Sequence, residues 1–194
     1  HVGAVEVVVS HEPQAILDAD RVVFPGVGGI RDCMEAISRL GCDQLLDQVL
    51  HLDRKPVLAI CVGMQALMSH SQENGGIDCL DVLPGQVAFF GEAHHSDEGD
   101  RLKVPHMGWN AVRPEIDHPL WRGIDPHTRF YFVHSYHVVP DNQALIAGTF
   151  DYGLTGCAAL AQENLFATQF HPEKSHTAGL TLLKNFLDWN GTCS

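Results

Sequence analysis

The sequence predicts an α/β fold built on a mostly parallel central sheet, with an antiparallel or mixed β extension in its second half. Three observations point there. Two strand, turn and helix units follow one another between Arg21 and Ser69, and their strands are continuous apolar runs rather than alternating ones. From Gln86 onward the segments are aromatic and β-branched, separated by turns, with no helical pattern between them.

Taken in order, Glu6–Ser10 (EVVVS) reads as a short strand and Arg21–Phe24 (RVVF) as a second, ending at the turn Pro25-Gly26-Val27-Gly28-Gly29. Ile30–Leu50 carries apolar residues at helical spacing. Pro56–Ile60 is an apolar run that stops at Cys61, and Val62–Ser69 resumes a helical pattern. Parallel strands require crossover connections, which these helices supply. VAFF (Val87–Phe90), RFYFVHSYHVV (Arg129–Val139) and ALIAGTF (Ala144–Phe150) form the later strands. A last strand, Leu165–Phe170, leads into His171-Pro172-Glu173, and Ala178–Trp189 reads as a closing amphipathic helix. His1-Val2-Gly3-Ala4 reads as the tail of a helix entering a strand, so the chain is expected to start late.

At 194 residues one large domain spanning 1–194 is expected, with a core that needs no disulfide or metal. The formal charge of −12 disfavours nucleic acid and anionic membrane surfaces, both of which reward a basic face. No apolar run approaches the roughly 18 residues of a membrane span, and no secretory signal pattern opens the chain, so a cytoplasmic location is expected. The six cysteines (Cys33, Cys42, Cys61, Cys79, Cys157, Cys193) form no C-x-x-C pair and are expected as reduced thiols. Histidine pairs that could suggest a metal (His94 with His95, His134 with His137, His171 with His176) lack a recognised ligand spacing, so neither metal nor cofactor is expected. The glycine turn lacks the lysine and hydroxyl residue of a P-loop, which argues against a nucleotide.

Cys61 stands between a buried-type strand and a helix, with Ala59 and Gly63 as small flanking residues. A nucleophile on so sharp a turn needs small neighbours. The helix N-terminus there is expected to favour thiolate, and the Val62 N–H lies where an oxyanion could form. The same pattern is shared with buried core cysteines, so the turn alone leaves both readings open. His171-Pro172-Glu173 narrows the choice. Residues two apart on an extended segment share a side, so Glu173 can orient the His171 ring. Gln65, one helical turn beyond Cys61, can meet a substrate beside the thiol.

These residues resemble the class I (triad) glutamine amidotransferases over nearly the whole chain. The general class shows in Cys61-Val62-Gly63-Met64-Gln65 and Phe170-His171-Pro172-Glu173-Lys174-Ser175. FPGVG (Phe24–Gly28), PHMGWN (Pro105–Asn110) and YFVHSY (Tyr131–Tyr136) narrow it to the branch that supplies glutaminase subunits of imidazole glycerol phosphate synthase. The resemblance implies a three-layer, flavodoxin-like fold and hydrolysis of glutamine through a γ-glutamyl thioester on Cys61, with His171 as base and Glu173 as its orienter. It implies an oxyanion hole from Val62 and the Val27–Gly28 peptide, and glutamine-holding positions at Gln65, Glu73, Ser135 and Tyr136. It implies ammonia transfer to a (β/α)8 cyclase subunit, with Met107, Trp109 and Asn110 as interface candidates.

The sequence departs from the family at Ala59, where glycine is usual, at His137, where a second aromatic is frequent, and in lacking the usual N-terminal strand and helix. The chain is therefore expected to be truncated. Competing readings are a glutaminase serving pyridoxal phosphate, anthranilate or guanylate synthesis, and a non-catalytic scaffold.

Overall fold

The structure, a computed structural model, describes residues 2–3, 5–91, 95–96 and 99–192. His1, Ala4, His94 and Cys193 lie outside them, and with them the reading of the first four residues and of the His94–His95 pair. The strand expected at Glu6–Ser10 is not formed. A strand exists only within a hydrogen-bonded ladder, and this segment pairs with no described neighbour, leaving Val9 99% exposed. A short helix, α1 (Pro13–Asp18), follows, opened by a proline whose missing N–H is not needed at that position.

β1 (Val22–Gly26) starts one residue into RVVF and runs on into the glycine turn, which leads into α2 (Ile30–Leu40). The helix expected to run unbroken to Leu50 stops at Gly41, whose φ of 65° caps α2 in a left-handed conformation. It restarts as α3 (Cys42–Asp47), followed by a π-turn over Gln48–Leu52. β2 (Val57–Cys61) is buried at every position, as a strand covered on both faces should be. The helix after it, α4 (Val62–Ala66), is shorter than the pattern suggested. The carbonyls of residues 66–69 accept from the N–H groups of Cys79 to Leu83 instead of continuing the helix.

Two short strands, β3 (His70–Ser71) and β4 (Ile77–Asp78), then β5 (Gly85–Phe89), lead to β6 (His106–Ala111) and β7 (Arg113–Pro114). RFYFVHSYHVV is two strands rather than one, β8 (Arg129–His134) and β9 (Tyr136–Pro140), divided at Ser135, whose carbonyl accepts from Phe90 N–H at 3.2 Å. β10 (Ile146–Asp151), β11 (Thr155–Gln162), β12 (Leu165–Thr168) and α5 (His176–Asp188) complete the chain.

The main sheet runs β1-β2-β12-β11-β10-β7. The first three strands are parallel and the others join antiparallel, so the parallel part and the antiparallel extension share one sheet. Alternation along β2 sorts its side chains between two layers. Leu58 and Ile60 pack with Ile30 and Ile37 of α2 and Leu182 and Phe186 of α5, whereas Val57 and Ala59 pack with Leu46 of α3, Val87 and Val138. The last carbonyls of α5 are met by Arg21, which donates to Phe186 O (3.2 Å) and Trp189 O (3.0 Å). A four-stranded sheet (β4-β3-β5-β9) and a two-stranded ribbon (β6-β8) lie outside the main sheet. Among the described residues no helix is long and apolar enough to cross a membrane.

The left-handed cap makes a direct prediction. Gly41→Ala should lower unfolding free energy by about 1 kcal/mol, because a Cβ is disfavoured at that φ. Urea unfolding should show a lower midpoint with an unchanged slope; no loss would contradict the role given to Gly41.

Candidate active site

β1, β2 and β12 are neighbouring parallel strands that end together, with Gly26 opposite Cys61 and Ile60 opposite Thr168. Their carboxyl ends deliver the glycine turn, Cys61 and the segment Gln169-Phe170-His171 to one place. This is where open α/β sheets hold their ligands.

Cys61 adopts φ 55°, ψ −112°, a strained conformation for a residue with a Cβ. The chain can turn there because the elbow lies directly against the end of β1. A Cβ on Gly63 would stand 2.2 Å from the Phe24 carbonyl oxygen, and one on Gly26 would stand 2.5 Å from the Gly63 nitrogen. The Val62 N–H reaches the Cys61 sulfur.

The lean of Cys61 toward thiolate expected at the helix N-terminus is opposed by burial. Burial pushes its thiol up to about 11. The Val62 N–H opposes this, Glu173 adds to it, and Lys174 and Gln169 lower it. Desolvation outweighs one amide and a helix of a turn and a half. Cys61 therefore rests as a thiol at neutral pH.

His171 is buried, and its backbone is clamped. Its N–H donates to Tyr131 O (2.9 Å), and its carbonyl accepts from Ser175 Oγ (2.6 Å), which itself accepts from Tyr131 N–H (3.0 Å). Its Nδ1 lies 2.8 Å from Glu173 Oε1. The pair meets through a 3-10 turn over Pro172–Lys174 rather than along an extended segment, because Pro172 starts a turn. Since a carboxylate only accepts, Nδ1 carries the proton and Nε2 is left with its lone pair. That Nε2 is buried and makes no hydrogen bond.

Gln65 is buried beside these groups. Its amide nitrogen donates to Tyr136 O (3.0 Å) and to Gln169 Oε1 (3.0 Å), which occupies both of its hydrogens. Its Oε1 is what it can offer a substrate, so it suits an ammonium or amide donor. Glu73 reaches the glycine turn and accepts from Ile30 N–H (3.2 Å), capping α2 with one carboxylate oxygen. Ser135 and Tyr136 mark the bend between β8 and β9, and the Tyr136 carbonyl is already in use. Val27 and Gly28 are exposed at the turn, with Gly28 at φ 86°.

The interface candidates divide by strand parity. Met107 and Trp109 are exposed on one side of β6, and Trp109 stacks flat on His176 at 4.8 Å. Asn110 points the other way, donating to Asp151 O (2.9 Å) and contacting His106 Nε2 (3.3 Å). Sequence reasoning passed over Gln169, fully buried, with its amide 3.8 Å from Cys61 Sγ. Its signal was position: it precedes His171 by two residues at the end of a buried strand. Among the described residues no group of three or more His, Cys, Asp or Glu could hold a metal. His134 meets His106, at 2.9 Å. The five described cysteines are free.

The raised Cys61 pKa sets a pH dependence. The folded protein keeps a proton that the unfolded chain loses near 9, so raising the pH from there toward about 11 destabilises the fold. Carbamidomethylation of Cys61, followed by peptide mass spectrometry, should be slow at neutral pH, climb about tenfold per pH unit to about pH 10 and level off near about 11. A plateau reached near neutrality would show that the thiol is activated at rest.

The family model for class-I glutamine amidotransferases matches residues 2–189. The imidazole glycerol phosphate synthase subunit HisH of Pseudomonas syringae pv. syringae is 56% identical over 191 residues, covering 98% of this chain and 89% of that protein. The subunit of the same name from Nitrosococcus oceani is 54% identical, with 97% and 87% covered. Among solved structures, a glutamine amidotransferase from Thermotoga maritima superposes with a TM-score of 0.62 at 17% identity, covering 89% of this chain and 78% of that one. The glutaminase domain of Trypanosoma brucei CTPS does so at 0.56 and 18%, covering 94% and 78%. The fold, the family model and the relatives agree: this chain belongs to the class-I glutamine amidotransferase family of enzymes.

Proposed function

We propose that residues 1–194 act as one glutaminase domain, the glutamine-hydrolysing subunit of an imidazole glycerol phosphate synthase, passing ammonia to a (β/α)8 cyclase partner in histidine biosynthesis. The observation that carries this reading is the pairing of a strained Cys61 elbow with a buried His171 whose Nε2 lone pair is unused and whose Nδ1 is tied to Glu173. Relatives more than half identical over nearly the whole chain carry that subunit's name. A cytoplasmic setting is part of the same proposal.

Because Cys61 rests as a thiol, attack and deprotonation go together. Cys61 Sγ bonds to the side-chain carbonyl carbon of glutamine while its proton passes to His171 Nε2, and Glu173 stabilises the imidazolium. The carbonyl oxygen becomes an oxyanion held by the N–H of Val62 and, once the Val27–Gly28 peptide reorients, that of Gly28. His171 returns the proton to the departing nitrogen, which leaves as ammonia. Water then adds to the thioester, its proton going to His171, and glutamate departs as the sulfur recovers a proton. Gln65 Oε1 and the free oxygen of Glu73 receive the substrate ammonium, with the Ser135–Tyr136 backbone along its other side. Passing ammonia directly to a partner keeps it from protonation in bulk water.

Glutamate release in the presence of the cyclase subunit tests the reading. Cys61→Ala should abolish it. Glu173→Gln should lower kcat roughly 10- to 100-fold, less than a fully buried orienter would, since Glu173 is half exposed. Hydrolysis that survives Cys61→Ala, or no stimulation by the cyclase, would refute it.

Met107 and Trp109 give the partner an exposed apolar pair on β6. Trp109→Ala should weaken cyclase binding by about 2 kcal/mol, roughly 30-fold in Kd, while leaving the melting temperature nearly unchanged. Titration calorimetry reads this directly; an unchanged Kd would move the interface elsewhere.

A further inference from the structure

A continuous line of hydrogen bonds runs from β6 to the Cys61 sulfur. Asn110 Nδ2 lies 3.3 Å from His106 Nε2, His106 Nδ1 lies 2.9 Å from His134 Nε2, and His134 Nδ1 lies 2.8 Å from the Tyr136 carbonyl oxygen. That oxygen also accepts from Gln65, Gln65 donates to Gln169 Oε1, and Gln169 Nε2 faces Cys61 Sγ. His106, His134, Gln65 and Gln169 are all buried.

The direction of every bond follows from one fixed acceptor. A carbonyl cannot donate, so His134 Nδ1 must carry its proton, and a neutral His134 then accepts at Nε2. His106 therefore donates from Nδ1 and accepts at Nε2, where Asn110 presents its NH2 group. On the other side Gln65 must present its nitrogen to the same carbonyl. Its second hydrogen compels Gln169 to present oxygen, which leaves Gln169 only its N–H for the sulfur. Burial holds His134 neutral by pushing its pKa down to about 3.

We infer that Gln169 is a positioning residue for the Cys61 thiol, and that His134, held by His106, fixes the Tyr136 carbonyl that sets the Gln169 amide with its N–H toward the sulfur. The inference rests on Cys61 being the nucleophile. An N–H aimed at sulfur favours thiolate over thiol, whereas an amide oxygen in its place would repel the developing charge. The charged groups that act on the sulfur are Glu173, which raises its pKa, and Lys174, which lowers it, so the orientation of a neutral amide makes a difference there.

The test uses the rate of Cys61 alkylation by iodoacetamide at fixed, mildly alkaline pH, which tracks the thiolate fraction and requires no glutamine turnover. Failure of the glutaminase reading and failure of this inference are therefore separable. Gln169→Met should slow alkylation about tenfold, one pKa unit. The two His134 amide variants should differ: His134→Asn places a donor near Nδ1 and should stay within about twofold of the parent, while His134→Gln places its amide on the Nε2 side and should approach Gln169→Met. Combining His134→Gln with Gln169→Met should add nothing, since both break one line. Melting temperatures report folding; if a His134 variant does not fold, Gln65→Met supplies the same comparison and should also fail to add to Gln169→Met. An unchanged rate in Gln169→Met, equal behaviour of the two His134 variants, or additive losses would overturn the inference.

Discussion

Everything at the catalytic end depends on how closely two backbones approach where β1 and β2 finish. Cys61 can hold its strained φ and ψ only if the residue after next slides beneath the Phe24 carbonyl, and Gly63 leaves no room there for even a methyl group. Gly26, opposite Cys61 in the ladder, makes the matching allowance from β1. Strain of this type costs about 1–3 kcal/mol and persists only when surrounding structure over-determines it. Here the fully buried β2 and the parallel ladders on both its sides do so. The same approach sets the Val62 N–H beside the Cys61 sulfur, so one steric fact fixes the positions of both.

The chemistry built on that elbow is one of restraint. Burial pushes the thiol's pKa up, while His171 is clamped through Tyr131 and Ser175 and its Nδ1 is tied to Glu173, as the proposed base would require. In the proposed mechanism the buried thiol gives up its proton only as it attacks, which avoids an uncompensated buried charge beforehand. In the proposed hydrolysis, electrostatic stabilisation is concentrated where charge develops, at the oxyanion.

Much of this was legible in the sequence for physical reasons. Pro56–Ile60 announced a strand covered on both faces because burial on both sides removes alternation. Cys61, His171 and Glu173 were legible because a tight turn and a tethered imidazole demand particular neighbours. Other features depended on tertiary partners that local pattern does not contain. EVVVS has strand composition without a ladder to join. Ile30–Leu50 keeps helical spacing across Gly41, where the backbone turns left-handed. RFYFVHSYHVV is divided at Ser135 by a bond to Phe90. The helix N-terminus beside Cys61 is visible in sequence, whereas the desolvation that opposes it is not. Gln169 was missed because an amide acquires a direction only from what it faces.

The division at Ser135 gives the molecule a further property. The β6-β8 ribbon has two strands, and a two-stranded unit has little stability of its own. It exposes Met107 and Trp109 on one side, while His106 and His134 on the other hold the Tyr136 carbonyl. Ser135 is thus the point where one backbone passes from a ribbon with an exposed apolar side to the carbonyl that His134 and Gln65 share, so the ribbon keeps one side open and commits the other to the interior.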